Sequence, residues 1–195
     1  VPSANATGAS DDNGSTINQV LTLTDFSVGT VTYQVTPMAN GCSGSVKNIV
    51  VTINPVPLVD AGVDYEVCEP ASILVEGTIA GAATSGTWTI VSGAGSISTP
   101  TVSGTQVTAT YTVALSDIAS SIELRMETND PDGLGLTGPC QSVSDVVKIQ
   151  IRRKPTVTLP PDFAVCEPAN LLTTPINLSG VVGGSATSGV WSVVS

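Results

Sequence analysis

The chain repeats itself at the size of a small domain. Val67-Cys68-Glu69-Pro70-Ala71 recurs unchanged as Val165-Cys166-Glu167-Pro168-Ala169, 98 positions further on. The same offset relates Cys42 to Cys140, Pro57 to Pro155, and the alternating run Ile49, Val51, Ile53 to Val147, Ile149, Ile151. Ala83-Thr84-Ser85-Gly86-Thr87-Trp88 returns as Ala186-Thr187-Ser188-Gly189-Val190-Trp191 after a short insertion near Thr173-Thr174-Pro175. A unit of this length is too long for a solenoid repeat and suits a β-sandwich.

Proline marks the joints. Pro55-Val56-Pro57 and Arg152-Arg153-Lys154-Pro155 each follow an alternating strand, and proline ends a hydrogen-bonded ladder while stiffening a linker. The expected organisation is therefore one complete Ig-like repeat over 57–154. Residues 1–56 read as the C-terminal half of another repeat, and 155–195 as the N-terminal half of a third. The halves are complementary by count. Ser195 corresponds to Ser92, and Asp25 in Leu-Thr-Asp-Phe resembles Asp117 in Leu-Ser-Asp-Ile. Between Ser92 and Asp117 lie 24 residues, and 24 precede Asp25. Joining Ser195 to Val1 would regenerate a repeat of 97 residues without a gap. The chain, opening on Val1-Pro2-Ser3, thus reads as an excerpt of a longer periodic object. Its neighbours are expected to be further copies of the same repeat, joined covalently or by strand exchange. The seamless count favours one giant chain.

Val107, Ala109, Tyr111 and Val113 occupy alternate positions, and Ile122, Leu124 and Met126 alternate with Glu123, Arg125 and Glu127. Period-two patterning of this kind puts one face on a core and the other in solvent. Val31, Tyr33 and Val35 repeat it. Gly-, Ser- and Asn-rich turns separate these runs at sandwich spacing, and no amphipathic helix is apparent. The fold class expected is all-β: tandem Ig-like antiparallel β-sandwich domains, beads on a string. Trp88, Val107, Tyr111, Leu124, Ile149 and Ile151 should face inward.

Charge and composition narrow the function. Six basic and 16 acidic residues give a formal net charge of -10, which opposes nucleic-acid binding. The apolar runs are short and broken by Thr, Ser or Gly, so no membrane span is expected. The chain has no histidine, which removes Ser-His-Asp and Cys-His catalysis and the commonest metal ligand. P-loop and dinucleotide fingerprints are absent, and the carboxylates alternate along strands or lie in turns. The chain is not expected to be an enzyme.

The four cysteines, spaced identically from 42 to 68 and from 140 to 166, read as a disulfide framework. Two pairings compete. In the favoured one Cys68 bonds Cys140 within a domain, leaving Cys42 and Cys166 to pair across repeat copies. In the other, Cys42–Cys68 and Cys140–Cys166 staple neighbouring domains. Closing the Cys68–Cys140 loop would be worth about 4 kcal/mol on chain-entropy grounds. Disulfides imply an oxidising, extracellular setting.

Val31-Thr32-Tyr33-Gln34-Val35-Thr36-Pro37 running into Asn40-Gly41-Cys42 resembles the end of PKD-like and Ig-like repeats in Bacteroidota surface proteins. So do Asp60-Ala61-Gly62-Val63-Asp64 before Cys68, and Asn129-Asp130-Pro131 before Pro139-Cys140. Such repeats occur in very large secreted adhesins similar to the gliding-motility adhesins exported by the type 9 system. The resemblance implies a cell-surface, non-catalytic filament whose surface or glycan ligand lies outside this segment. The chain lacks the Trp-Asp-Phe-Gly-Asp-Gly hairpin of true PKD domains, since Trp88 is followed by Thr89-Ile90-Val91.

Calcium is the candidate cofactor. Asn129, Asp130 and Asp132 share a loop ending at Gly133, and Asp60, Asp64 and Glu66 crowd the domain junction. Flexibly spaced hard oxygens suit calcium, but the EF-hand pattern fails because Gln141 stands where a bidentate Glu is needed. Trp88 and Trp191 raise the alternative of a carbohydrate-binding accessory module, though their repetition behind one Ala-Thr-Ser-Gly step points to the core. Asn5-Ala6-Thr7, Asn13-Gly14-Ser15 and Asn177-Leu178-Ser179 match the glycosylation sequon, incidentally if the source is bacterial. Lys47 and Lys148 suggest isopeptide crosslinks but do not occupy equivalent repeat positions. The expected role is a structural stalk or filament segment of an extracellular bacterial adhesin.

Overall fold

The computed structural model describes residues 1–164 and 175–194. The first stretch carries β1 (Ala6–Thr7), β2 (Thr22–Leu23), β3 (Gly29–Val35), β4 (Met38–Ala39), β5 (Cys42–Ser43) and β6 (Lys47–Ile53). The central part carries β7 (Leu58–Asp60), β8 (Tyr65–Cys68), β9 (Ser72–Ala80), β10 (Gly86–Ser92) and β11 (Ser96–Ile97). It continues with β12 (Thr101–Ser103), β13 (Gln106–Thr112), β14 (Ser121–Thr128) and β15 (Ser144–Arg152). Beyond it lie β16 (Thr156–Thr158) and β17 (Val181–Gly183). The described helical residues form two single 3-10 turns, at Leu115–Asp117 and Gly135–Thr137.

The central strands make an Ig-type sandwich. One sheet runs β10-β14-β15-β8, the other β11-β13-β9-β7 with β12 also on β13. Every pairing is antiparallel except β8 on β15, which is parallel. The opening strand is therefore divided between the sheets, with β7 on one and β8 on the other. The crossing falls at Ala61-Gly62, where Gly62 has φ +85, a conformation glycine adopts without steric cost.

Period two builds the core. Along β9 burial alternates residue by residue, so Ile73, Val75 and Ile79 point inward. They meet Trp88, Val107, Ala109, Tyr111, Ile122, Leu124, Met126, Val147, Ile149 and Ile151 from the other strands. All six residues expected to face inward are buried. At about 25 cal/mol per Å² of apolar surface removed from water, a cluster of this kind supplies most of what opposes chain entropy. Gly77 and Gly86 make room for it. A Cβ at Gly86 would stand 3.1 Å from Met126 Cε and 3.2 Å from Val107 Cγ2, and one at Gly77 would stand 3.1 Å from Trp88 Cζ2.

The flanking stretches repeat parts of this plan in matching register. β3 pairs with β6 so that Val31 faces Val51 and Tyr33 faces Ile49. These pairs stand where Ile122–Ile149 and Leu124–Val147 stand in the central sandwich. β16 pairs with β17 through Thr156–Gly183 and Val157–Val182, as β7 pairs with β9 through Leu58–Ala80 and Val59–Ile79. The stretch corresponding to β13, around residues 15–21, forms no ladder. Its counterpart β13 is held by β9, and no equivalent of β9 lies in residues 1–56. A strand without its partner leaves its backbone groups to water.

The linkers are seated on the strand pairs that follow them, β7–β9 for the first and β16–β17 for the second. Pro55 and Pro57 are buried. Gly81 (φ +67) lies against the Val56 carbonyl, and Gly184 (φ +68) lies against the Lys154 carbonyl in the same way. A side chain at either glycine meets backbone rather than a movable group, in a backbone conformation that already disfavours it. Gly81→Ala is accordingly expected to cost about 2–3 kcal/mol, read as a fall in the urea midpoint at unchanged slope.

Candidate functional site

The expected bridge between Cys68 and Cys140 is corrected by the strand order. Cys42, Cys68 and Cys140 are all free thiols. Cys68 sits opposite Arg152 at the end of β15, whereas Cys140 precedes Ser144 at its beginning. A strand rises about 3.3 Å per residue, so nine residues place the two at opposite poles, roughly 26 Å apart. A disulfide needs Cα atoms within about 4.4–6.8 Å. Cys166, and hence any pairing of it with Cys42, lies outside the described residues. Non-reducing peptide mapping should therefore yield no Cys68–Cys140 peptide, and its recovery from monomeric protein would overturn the assigned strand order.

The acidic residues are dispersed into structural tasks. Asn129 Oδ1 accepts the backbone N–H groups of Thr84 at 2.8 Å and Ser85 at 2.9 Å, tying two loops together. Asp130 accepts the N–H groups of Asp132 and Gly135. Asp132 accepts those of Leu134 at 3.0 Å and Cys140 at 2.9 Å. The Cys140 and Leu134 amides hold the Asp132 carboxyl below its ordinary range. Asp60 turns onto Gly62 N–H, and Asp64 accepts Lys148 N–H at 2.8 Å. Glu66 takes a forked contact from Arg152, at 2.8 Å from Nη2 and 3.2 Å from Nε. Hydrogen bonding and the charge of Arg152 lower the Glu66 carboxyl, although the pair is open to solvent. Among the described residues no three His, Cys, Asp or Glu side chains are placed to hold a metal ion. Each carboxylate is turned to a nearby backbone N–H or to Arg152, and the six residues named as calcium candidates are spread over two separate places, the 129–133 loop and the β7–β8 crossing.

The tryptophans part company. Trp88 is 4% exposed, and its Nε1–H donates to Val107 O at 3.2 Å, so the indole serves the core. Trp191 is 58% exposed. A shallow depression lined by Asp60, Gly62, Glu76, Gly77, Thr78 and Gln106 holds about 110 Å³. That is well below the roughly 300 Å³ at which small-molecule pockets begin. Lys148 Nζ stands 3.8 Å from Glu123 Oε2, a surface ion pair.

Asp117, in sequence no more than a landmark of the repeat, carries a carboxylate that accepts three hydrogen bonds inside the sandwich. It is 3% exposed. Oδ1 accepts Ala94 N–H at 2.8 Å, while Oδ2 accepts the Tyr111 hydroxyl at 2.7 Å and Ala114 N–H at 3.0 Å. Gly95 N–H in turn donates to Tyr111 Oη at 2.9 Å. Burial opposes the charge on Asp117, but the donors outweigh it and the carboxyl is held below its usual 3.8. Burial, then the bond to Asp117, pushes the Tyr111 phenol up to about 12. The signal available in sequence was a lone acid six residues beyond an inward-facing tyrosine. Nothing in this network offers an open face to a substrate, so the constellation braces the fold.

No helix among the described residues is long and apolar enough to cross a membrane. Residues 1–57 match the PKD-like domain family. Comparison with curated proteins gives no match. Among solved structures the chain is similar to a chimeric titin Z1Z2 functionalized with a KLER exogenous peptide from decorin. That likeness has 12% identity and a TM-score of 0.37, over 52% of this chain and 99% of that one. Residues 1–57 are thus similar to a PKD-like domain, and the strands that follow them form an Ig-type β-sandwich.

Proposed function

We propose that this chain is a load-bearing segment of an extracellular bacterial adhesin, a stalk of tandem Ig-like repeats that supplies reach and stiffness to a binding element outside it. The observation that carries the reading is the seated linker: Pro55 and Pro57 are buried, and Gly81 closes on the Val56 carbonyl. A joint built this way holds consecutive units in a fixed relation, where a Gly/Ser linker would let them swivel. Recurrence of the contact at Gly184 and Lys154 supports a device belonging to the repeat. The PKD-like match over residues 1–57 supports an extracellular structural module. Neighbouring copies of the repeat are the partners this role requires.

Amide relaxation tests the stiffness. Val56 should show an order parameter near the 0.85 of rigid backbone, and so should Asn54. Values below about 0.6 across the joint would refute the stalk reading. The competing carbohydrate-binding reading needs an aromatic platform, and the burial of Trp88 argues against one. Saturable binding on a glycan array, lost in Trp191→Ala, would favour that reading instead.

A further inference from the structure

We infer that the seam between β8 and β15 is where the central sandwich holds tension, and that Asp64, Glu66 and Glu69 are its fasteners. The inference rests on the load-bearing reading and names the element that bears the load. The chain enters this sandwich at Leu58 and leaves it past Arg152, at the opposite pole. Between those points β8 lies parallel to β15, in register from Tyr65–Ile149 to Cys68–Arg152. Tension along the chain draws β8 back toward Leu58 and β15 onward past Arg152, so the two strands are pulled in opposite directions along one another. Bonds that cross between sliding strands are strained together, whereas those of a peeled strand open one at a time. β15 is also held by β14 over Ser121–Glu127, while β8 is an edge strand with β15 as its neighbour, so the β8–β15 seam yields before β15 leaves β14. Ahead of the seam on the path, β7 has three pairs on β9, from Leu58–Ala80 to Asp60–Thr78, and is expected to give way first.

Side chains multiply the ties along this seam. Asp145 Oδ2 accepts Ala61 N–H at 2.8 Å, and Asp64 Oδ1 accepts Lys148 N–H at 2.8 Å. Arg152 forks onto Glu66. Glu69 N–H donates to Arg152 O at 2.9 Å, and Glu69 Oε2 accepts Lys154 N–H at 2.8 Å. These side-chain contacts join residues 84 to 86 positions apart, from the crossing turn to the second linker, and they must break before β8 can slide. Asp64, Glu66 and Glu69 are nonetheless exposed. Exposed carboxylate contacts add little to equilibrium stability, so position rather than strength gives these their effect under load. Asp64 and Glu69 return at the repeat offset as Asp162 and Glu167. Both take backbone N–H groups, which any residue but proline supplies.

Single-molecule pulling on the full chain, held by its two ends, tests this. The central event is recognised by its length gain, about 3.3–3.6 Å for each residue released from Leu58–Arg152. At constant force a chain carrying both Glu66→Ala and Glu69→Ala should unfold several-fold faster than the unmodified chain, while its urea midpoint stays close to the original. Glu123→Ala removes the surface ion pair to Lys148, which joins β14 to β15, and should change neither reading. Forced unfolding reports the barrier and urea reports the equilibrium, which separates a tie under load from a general loss of stability. Equal unfolding rates for the double variant and the unmodified chain overturn the inference. So does an equal acceleration by Glu123→Ala, or an acceleration matched by a fall in the urea midpoint. Low order parameters at Val56 beside the expected pulling result would refute the stiff stalk and leave the seam standing.

Discussion

Asp117→Ala is expected to destabilise the central sandwich by about 3–5 kcal/mol, the range found when one partner of a buried charged network is removed. The substitution leaves the Tyr111 hydroxyl and the N–H groups of Ala94 and Ala114 without their acceptor in a site that is 3% exposed. A domain of this size has about 5–15 kcal/mol to lose, so the urea midpoint should fall by roughly a fifth or more. The same network sets the pH limits. Because the Asp117 carboxyl is lower in the folded than in the unfolded chain, its contribution is complete above the ordinary value of 3.8. It is lost as pH falls through the lowered value. Tyr111 titrates in the opposite sense. Its phenol is raised from 10.0 to about 12, so stability is full below 10 and declines as the pH rises toward 12. Unfolding midpoints measured across both windows should show a plateau with two shoulders. In Asp117→Asn the acid shoulder should shrink. An unchanged acid limb would mean that another carboxylate governs it.

Trp88→Ala should be similarly damaging, at about 3–5 kcal/mol. The indole is 4% exposed in the center of the packed cluster, and its N–H is paired with Val107 O. Truncation leaves a cavity against Gly77, Met126 and Val107, and strands that cross in a sandwich collapse only partly into such a space. Thermal or urea denaturation measures the loss. A cost under 1 kcal/mol would mean that the ring is dispensable to the core, and it would reopen a recognition role for that face.

Much of the fold was legible because period-two patterning is local. Ile122, Leu124 and Met126 alternate with charged neighbours, and the structure buries these three while leaving Arg125 in solvent. The linker prolines were legible as joints, although their seating on Gly81 was not, because it depends on a loop 25 residues away in sequence. The division of the opening strand between two sheets was also hidden. Asp60 and Asp64 looked like potential ligands when read as a cluster. Instead Asp60 holds the crossing turn, and Asp64 fastens the start of β8 to β15. An acidic side chain beside a turn has the same sequence signature whether it binds a cation or its own backbone.

The β class, the domain-sized repeat and the inward identity of Trp88, Tyr111 and Ile149 follow from the sequence alone, since alternation and self-similarity need no knowledge of partners. The absence of histidine likewise sets aside whole classes of chemistry without reference to any fold. Which distant groups meet was decided only in three dimensions. Equal spacing of the cysteines suggested a bridge, but parallel pairing of β8 with β15 carries Cys68 to one pole while Cys140 remains at the other. Spacing along a chain measures contour length, and strand direction determines whether that length brings two residues together or holds them a sandwich apart.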